Sequence, residues 1–228
     1  MASGSVVVLY ALLGIVAGWF VVVRVVERLP DPDPLPPPAR IAVAVVNGVL
    51  WGLVARKMEP IGLGFLLPTL FFGSVLLAVS VIDLRVYRIP DKVVFPSLAL
   101  AIPAVAFGAV YELGRTEGIE QARNALLGMA VYFVALFIPH VIYPRGMGFG
   151  DVKLGLLMGL YLGLFGVSNF DVVYFVLIAI MIGCILGVVM GLVVNIVRRR
   201  GGAFPFGPAL AVAALYVVLN FDRFLTGV

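Results

Sequence analysis

The chain has few of the residues that build disulfides, metal clusters and soluble surfaces. Its 228 residues include one cysteine, Cys184, and one histidine, His140, to which we assign no role. A single cysteine excludes an internal disulfide and a cysteine-cluster metal site. Charged residues make up only 12% of the chain, hydrophobic residues make up 63%, and the mean hydropathy is +1.16. A soluble globular domain is about half apolar and a quarter charged, so this composition indicates a polytopic membrane protein.

Long apolar runs divide the chain into candidate membrane helices. They predict an all-α, polytopic membrane helix bundle of about eight transmembrane segments, forming a single domain over residues 1–228. The first run has no basic start and no small-residue cleavage site, which favours a retained helix over a signal peptide. Residues 27–40 are rich in proline and are predicted to form a stiff cytoplasmic linker. The predicted segments are 5–26, 41–55, 61–82, 93–110, 125–142, 154–165, 172–197 and 208–221.

The basic residues indicate an orientation for this bundle. With the amino terminus outside, 11 of the 16 Lys and Arg residues fall on the cytoplasmic side and 5 on the other. Cytoplasmic loops carry an excess of Lys and Arg, so the charge distribution favours this orientation. It places Asp83 and Asp151 on the cytoplasmic side of a cell (inner) membrane.

Glycines recur at four-residue spacing within several apolar segments. Small residues at this spacing allow membrane helices to approach closely. We therefore interpret them as packing positions rather than a nucleotide-binding loop, and the sequence predicts no nucleic-acid partner. The sets are Gly14 and Gly18, Gly48 and Gly52, Gly155, Gly159 and Gly163, and Gly183, Gly187 and Gly191.

Two aspartates stand beside apolar segments. Asp83 ends one segment and is followed by LRVYRIPD at 84–91, whereas Asp151 lies in GFGDVK at 148–153. An ionisable group at a helix centre in a membrane costs on the order of 2.5 kcal/mol or more, so such groups usually mark function. Two carboxyls that share a proton can activate water while polarising a peptide carbonyl. This predicts an aspartic endopeptidase that needs neither metal nor cofactor.

Other interpretations of these residues stay open at this point. Asp83 could simply end a helix and pair with Arg85 or Arg88, and Asp151 could cap the next helix. A small proton-coupled transporter or a non-catalytic assembly scaffold are the alternative functions, although no clear internal repeat favours a transporter. The glycines on either side of Phe149 permit backbone geometries that other residues avoid, which would let a substrate strand pass close to Asp151.

Taken together, the motifs resemble those of the type IV prepilin peptidases, which are GxGD-type aspartyl proteases also called leader peptidases. The matching stretches are 83–91, 148–153 and PFGP at 205–208, and the first helix is similar as well. The resemblance implies removal of a short basic leader from pilin-like or archaellin-like precursors at the cytoplasmic membrane face, for type IV pilus assembly and protein secretion. The residues it implicates are Asp83 and Asp151 as catalytic groups, with Pro90, Asp91, Gly148, Gly150 and Lys153 in support.

The chain departs from many members of that family in one region. Those enzymes carry a larger cytoplasmic insertion after the first helix, with paired CxxC motifs that bind zinc, and they also methylate the new amino terminus. Here the region 27–40 is short and contains no cysteine, which favours a peptidase-only short form. The presenilin and signal-peptide-peptidase class, the other alternative, typically has tyrosine before its first aspartate, whereas Ile82 precedes Asp83 here.

Overall fold

A computed structural model of the protein describes residues 3–28, 34–144, 147–198 and 205–226. These residues form ten α-helices and one π-helical turn, and they contain no β-strand, so the predicted all-α bundle is confirmed. The π-helical turn Gly18–Val22 joins α1 and α2 into one helix, Gly4–Arg28. The α-helices are α1 Gly4–Ala17, α2 Val23–Arg28, α3 Pro37–Met58, α4 Leu63–Val86, α5 Asp91–Leu113, α6 Arg115–Ile142, α7 Phe149–Leu164, α8 Asn169–Arg198, α9 Gly207–Leu219 and α10 Phe221–Thr226.

Within the described ranges, six helical stretches are long and apolar enough to cross a membrane by length and composition. Two further apolar helices are shorter: α7 has 16 residues and α9 has 13. Every predicted segment overlaps one of these helices, while the number of spanning segments and the outside amino terminus stay predictions. The six stretches are Gly4–Arg28, Pro37–Met58, Leu63–Val86, Asp91–Leu113, Arg115–Ile142 and Asn169–Val193.

The proline-rich linker is described at its two ends. Glu27 pairs with Arg40 at 2.7 Å and accepts a hydrogen bond from the Leu35 N–H at 3.2 Å, which ties the end of α2 to the start of α3. Pro36 has extended backbone and precedes Pro37 in the first turn, where a missing N–H costs nothing. Residues 29–33 of the linker lie outside the described residues, as do three arginines counted in the charge distribution, Arg145, Arg199 and Arg200.

Close packing is confirmed at several of the spaced glycines. A Cβ on Gly159 would overlap the carbonyl oxygen of Gly128, so α6 and α7 touch backbone to backbone. A Cβ on Gly14 would lie 2.9 Å from the Cα of Gly48, which brings α1 equally close to α3. At that crossing, the buried Asn47 side chain donates to the Gly14 carbonyl at 2.8 Å. Small residues thus give these helices the short separations that membrane packing requires.

Helix α7 lies at the centre of the bundle. It packs against α5, α6, α8 and α9, and nearly all of its side chains are buried. Its Tyr161 ring stacks on Phe72 of α4, with ring centroids 4.2 Å apart. Helix α9 packs against both α4 and α7. The amino-terminal ends of α7 and α9 therefore lie beside the carboxyl-terminal end of α4.

Candidate active site

Asp83 lies in the last turn of α4, with only 5% of its surface exposed. The helix ends because Tyr87 adopts a left-handed conformation (φ 56°, ψ 35°), which is uncommon for a residue other than glycine. The Asp83 carboxyl accepts a hydrogen bond from the backbone N–H of Gly207 at 3.0 Å. The interpretation of Asp83 as a helix-end ion-pair partner did not anticipate this donor from a distant part of the chain.

Asp151 is the third residue of α7 and is 8% exposed. Its carboxyl lies against Gly148, where a Cβ would come within 3.3 Å of Oδ2, and its own N–H donates to the Gly148 carbonyl at 3.1 Å. The interpretation of Asp151 as the N-cap residue is wrong, because Gly148 holds that position and Asp151 is the third helical residue.

The two aspartates meet where three segments of the chain converge. The carboxyls interact electrostatically with each other. Ile89 fills the space between two glycines: a Cβ on Gly150 would lie 2.9 Å from the Ile89 Cβ, and one on Gly207 would lie 3.2 Å from its Cδ1. The stretches 83–91, 148–153 and 205–208 thus form one site, although Asp83 and Gly207 are 124 positions apart.

An ion pair links the two aspartate motifs beside this junction. Lys153, two residues after Asp151, pairs with Asp91 at the start of α5. The Lys153 side chain is 15% exposed, and its Nζ lies 5.1 Å from the ring centre of Phe149 and 5.7 Å from that of Phe95. Aromatic faces stabilise a nearby cation, which helps to hold the lysine in place. Pro90 supplies the extended residue immediately before α5.

The glycines of the second motif are needed for space rather than for unusual backbone angles. Among the described residues only Tyr87, Gly62 and Gly114 have positive φ, and Gly148 has an ordinary extended conformation (φ −68°, ψ 139°). The expectation that the glycines beside Phe149 adopt backbone conformations that other residues avoid is therefore wrong. Instead, a Cβ on Gly148 would lie 3.3 Å from Oδ2 of Asp151, and Gly150 makes room for the loop after α4.

Three neighbours of the aspartates are not among the predicted site residues. Ile89 and Gly207 lie within the matched stretches 83–91 and 205–208, but the sequence assigned neither of them a role. The third is Tyr132 of α6, which is fully buried and lies against α7 about one turn after Asp151. Its ring lies in a gap on α7, where a Cβ on Gly155 would come within 2.8 Å of the Tyr132 Cδ1. The four-residue glycine spacing in α7 was the one sequence feature that could have indicated Tyr132. A row of glycines on one helix face leaves room for an aromatic ring as well as for a neighbouring helix.

Fold and site together define a polytopic helical membrane protein with a buried aspartate pair at one end of its central helix. Within the described ranges, no group of three or more His, Cys, Asp or Glu side chains is placed to hold a metal ion. The chain belongs to the type IV leader peptidase family, whose family model matches residues 70–192, more than half of the chain. The matched region contains both aspartate motifs, and the resemblance seen in the sequence is confirmed.

Three bacterial relatives bear the name prepilin leader peptidase/N-methyltransferase. The Neisseria gonorrhoeae protein is 28% identical over 79% of this chain and 57% of its own length. The Xanthomonas campestris pv. campestris protein is 31% identical over 64% of this chain and 49% of its own, and that of Dichelobacter nodosus is 27% identical over 76% and 54%. The chain thus spans about half the length of the curated relatives it matches. No solved structure matches it.

Proposed function

We propose that this chain is an aspartic endopeptidase that removes a short basic leader from pilin-like or archaellin-like precursors. The observation that carries the proposal is the meeting of Asp83 and Asp151, both buried and electrostatically coupled, at one end of the bundle. Family membership and the names of the relatives support the same reaction. The pairing of the two motifs is what separates a catalytic site from two unrelated helix ends.

In the proposed mechanism the two carboxyls act as a unit, one ionised and one protonated. The ionised carboxyl takes a proton from water, and the water oxygen attacks the carbon of the scissile carbonyl. The protonated carboxyl gives its proton to the carbonyl oxygen, which forms a tetrahedral diol. The diol collapses when the C–N bond breaks: the amine takes up a proton from the first carboxyl, and a diol hydroxyl gives its proton to the second carboxylate, which restores the starting pair. The Gly207 N–H holds the Asp83 carboxyl in place during these steps, and Asp151 lies against Gly148.

The remaining motif residues are proposed to position this pair. Gly150 lets Ile89 approach α7 closely, and Pro90 sets the start of α5. The ion pair between Asp91 and Lys153 then joins the loop after Asp83 to the first turn of α7. Gly148 leaves room for the Asp151 carboxyl beside the start of α7. These residues act through the aspartates and need not touch the substrate.

The proposed location is the cytoplasmic face of the cell (inner) membrane. The uneven distribution of Lys and Arg supports this orientation, because 11 of 16 fall on the side of Asp83 and Asp151. The apolar helix of the precursor would stay in the bilayer against the enzyme, with the leader outside the hydrocarbon. Cleavage of a precursor by sealed vesicles of known orientation tests the proposal, since inside-out vesicles should cut an added precursor and right-side-out vesicles should not.

The protein is proposed to cleave the precursor without methylating the new amino terminus. The connection between the first helix and α3 is short and has no cysteine, unlike the zinc-binding insertion of the longer family members described above. Mass spectrometry of the cleaved product, with S-adenosylmethionine present, tests this. An unmodified amino terminus is expected, and a gain of one methyl group would contradict the proposal.

The decisive experiment is cleavage of a purified pilin-like precursor in detergent. Wild type, Asp83→Asn, Asp151→Asn and the double variant are compared, with the fold of each checked by gel filtration and thermal unfolding. Wild type should remove the leader and each folded variant should be inactive. Full activity in a folded single variant would show that the aspartates are structural helix ends. Transport of protons without cleavage would favour the transporter alternative instead.

A further inference from the structure

A basic cavity lies at the opposite end of α9 from the aspartates. It has a volume of about 820 Å³ and lies between the carboxyl-terminal end of α3 and the start of α10. Since α9 has 13 residues, a rise of about 1.5 Å per residue places the cavity roughly 20 Å from Gly207. The residues that matter most here are Leu53, Arg56, Lys57, Tyr216, Asp222 and Arg223. The proposed peptidase mechanism uses none of them.

The charges around the basic cavity favour an anion. Its lining contains three cations, Arg56, Lys57 and Arg223, and one carboxylate, Asp222. Asp222 pairs with Lys57, whose Nζ also lies 5.4 Å from the ring centre of Phe221. The side chains of Arg56 and Arg223 are both exposed. Even with the ion pair formed, the lining keeps an excess of two positive charges.

The other part of the lining is apolar and faces outward. Leu53 of α3 and Tyr216 of α9 are 48% and 49% exposed. Leu53 lies about one helical turn before Arg56, and Tyr216 lies in the last turn of α9, before the charged residues of α10. Tyrosine is enriched where a membrane protein crosses from hydrocarbon to the headgroup layer. A ligand in this cavity would therefore meet cations at one end and a hydrocarbon-facing surface at the other.

We propose that the basic cavity binds an anionic phospholipid. Its phosphate would lie between Arg56 and Arg223, and its acyl chains would run along Leu53 and Tyr216. Basic pockets between transmembrane helices on the cytoplasmic side bind acidic lipid headgroups in this way, and the same charge attraction applies at this end of α9, which the predicted orientation places outside. The cavity also has the size of an ordinary ligand site. The proposal concerns a site separate from the aspartates and stands whether or not the chain is a peptidase.

Lipid binding to the purified full chain in detergent tests the proposal. Native mass spectrometry would titrate phosphatidylglycerol against phosphatidylcholine with the same acyl chains, and glycerol phosphate would serve as a headgroup without chains. Because each basic residue near an acidic lipid contributes about fivefold in affinity, Arg56→Gln with Arg223→Gln should weaken phosphatidylglycerol binding about 25-fold. The matched control is Arg115→Gln with Arg123→Gln, which removes two exposed arginines on α6 outside the cavity.

A third variant predicts a change of the opposite sign. Asp222→Asn removes the carboxylate that pairs with Lys57 and should strengthen phosphatidylglycerol binding about fivefold. Equal binding of phosphatidylcholine, or equal losses in the cavity and control variants, would overturn the proposal. So would saturation by glycerol phosphate at the same concentration as the lipid, because the cavity would then be a simple anion site. Thermal unfolding and gel filtration verify that every variant is folded.

Discussion

The two ends of helix α9 hold carboxyl groups in contrasting ways. At the first residue, the Gly207 backbone N–H donates to Asp83, which is 5% exposed. Beyond the last residue, the Asp222 side chain is 52% exposed and is paired with Lys57. An exposed carboxylate beside a cation is solvated and its charge is balanced, so it stays ionised and is a poor proton donor at neutral pH. A buried carboxyl beside another carboxyl is the arrangement that proton transfer requires, and this difference separates the proposed reactive end from the other.

The largest effect is expected when a carboxyl is replaced by an amide at the buried end. Asp83→Asn or Asp151→Asn should lower the rate of precursor cleavage at least about 1000-fold. The site would then lack either the base that takes a proton from water or the acid that protonates the scissile carbonyl. The thermal midpoint should stay the same or rise, since a buried ionisable group has been removed. Initial rates and thermal unfolding of the same preparations provide the measurement.

The matched control for that prediction is the same replacement at the exposed end. Asp222→Asn should leave the rate of cleavage within about twofold of wild type, because general acid–base chemistry needs a carboxyl at the reacting bond. If Asp222→Asn lost as much activity as Asp83→Asn, the assignment of the reaction to the buried end of α9 alone would be wrong.

The next effect concerns the glycine that holds Asp83. A Cβ on Gly207 would lie 2.8 Å from Oδ2 of Asp83, so Gly207→Ala should displace the carboxyl without removing it. Displacement of a catalytic group by about 1 Å costs about 100-fold, and we expect kcat to fall by about 10- to 100-fold. Gly73→Ala on α4 is the control, since a Cβ there would meet no atom within 4 Å. A Gly207→Ala enzyme with normal kcat would show that the close contact at Gly207 does not fix the position of the Asp83 carboxyl.

A smaller effect is expected at the ion pair between the two motifs. Lys153→Gln and Asp91→Asn should each lower kcat about tenfold through the orientation of the first turn of α7. The double variant should be no worse than either, because both changes break the same contact. Asp91 is 56% exposed, so solvent screens the pair and the loss of stability should be below about 1 kcal/mol. Lys92→Gln, an exposed neighbour of Asp91, is the control, and additive losses would argue against a direct link.

Apolar runs were enough to locate the helices but not their first turns. The segment predicted to begin at 154 begins at Phe149, because the polar side chains of Asp151 and Lys153 lie within the first five residues of the helix. In a membrane protein a polar residue beside an apolar run is consistent with both a cap and a buried site. This ambiguity explains the incorrect interpretation of Asp151 as the N-cap residue. The observed N-cap, Gly148, lies only three residues earlier in the chain.

The two aspartates could be identified from the sequence, whereas much of their surroundings could not. A carboxyl beside an apolar segment is conspicuous because membrane burial is costly. Ile89 and Gly207 lie in the matched stretches 83–91 and 205–208, but nothing local indicates that Ile89 packs against Gly150 or that the Gly207 N–H, a group every residue except proline carries, donates to Asp83. Tyr132 looks like an ordinary apolar-segment residue until the fold places it against Gly155. These contacts depend on helix packing over long sequence separations, which no local pattern encodes.

The smallest expected effect is the pH dependence of the exposed ion pair. The hydrogen bond from Lys57 lowers the pKa of Asp222 below its ordinary value. Because the folded-state pKa is below the unfolded one, the pair stabilises the fold above the unfolded value of about 4, and this contribution is lost as the pH falls through the folded pKa. Solvent screening keeps the contribution near 0.5 kcal/mol, or about 1–2 °C in the thermal midpoint.

Asp222→Asn should therefore unfold about 1–2 °C below wild type at pH 7, and this difference should shrink as the pH is lowered below about 4. Lys57→Gln should show the same loss and the same pH dependence, since it removes the other half of the pair. A difference that stays constant from neutral to acid pH would mean that the charge of Asp222 is not its source. The end of α9 near Asp222 would then owe its stability to the packing of Phe221 rather than to ion pairing, and the contrast with the buried aspartates would rest on burial alone.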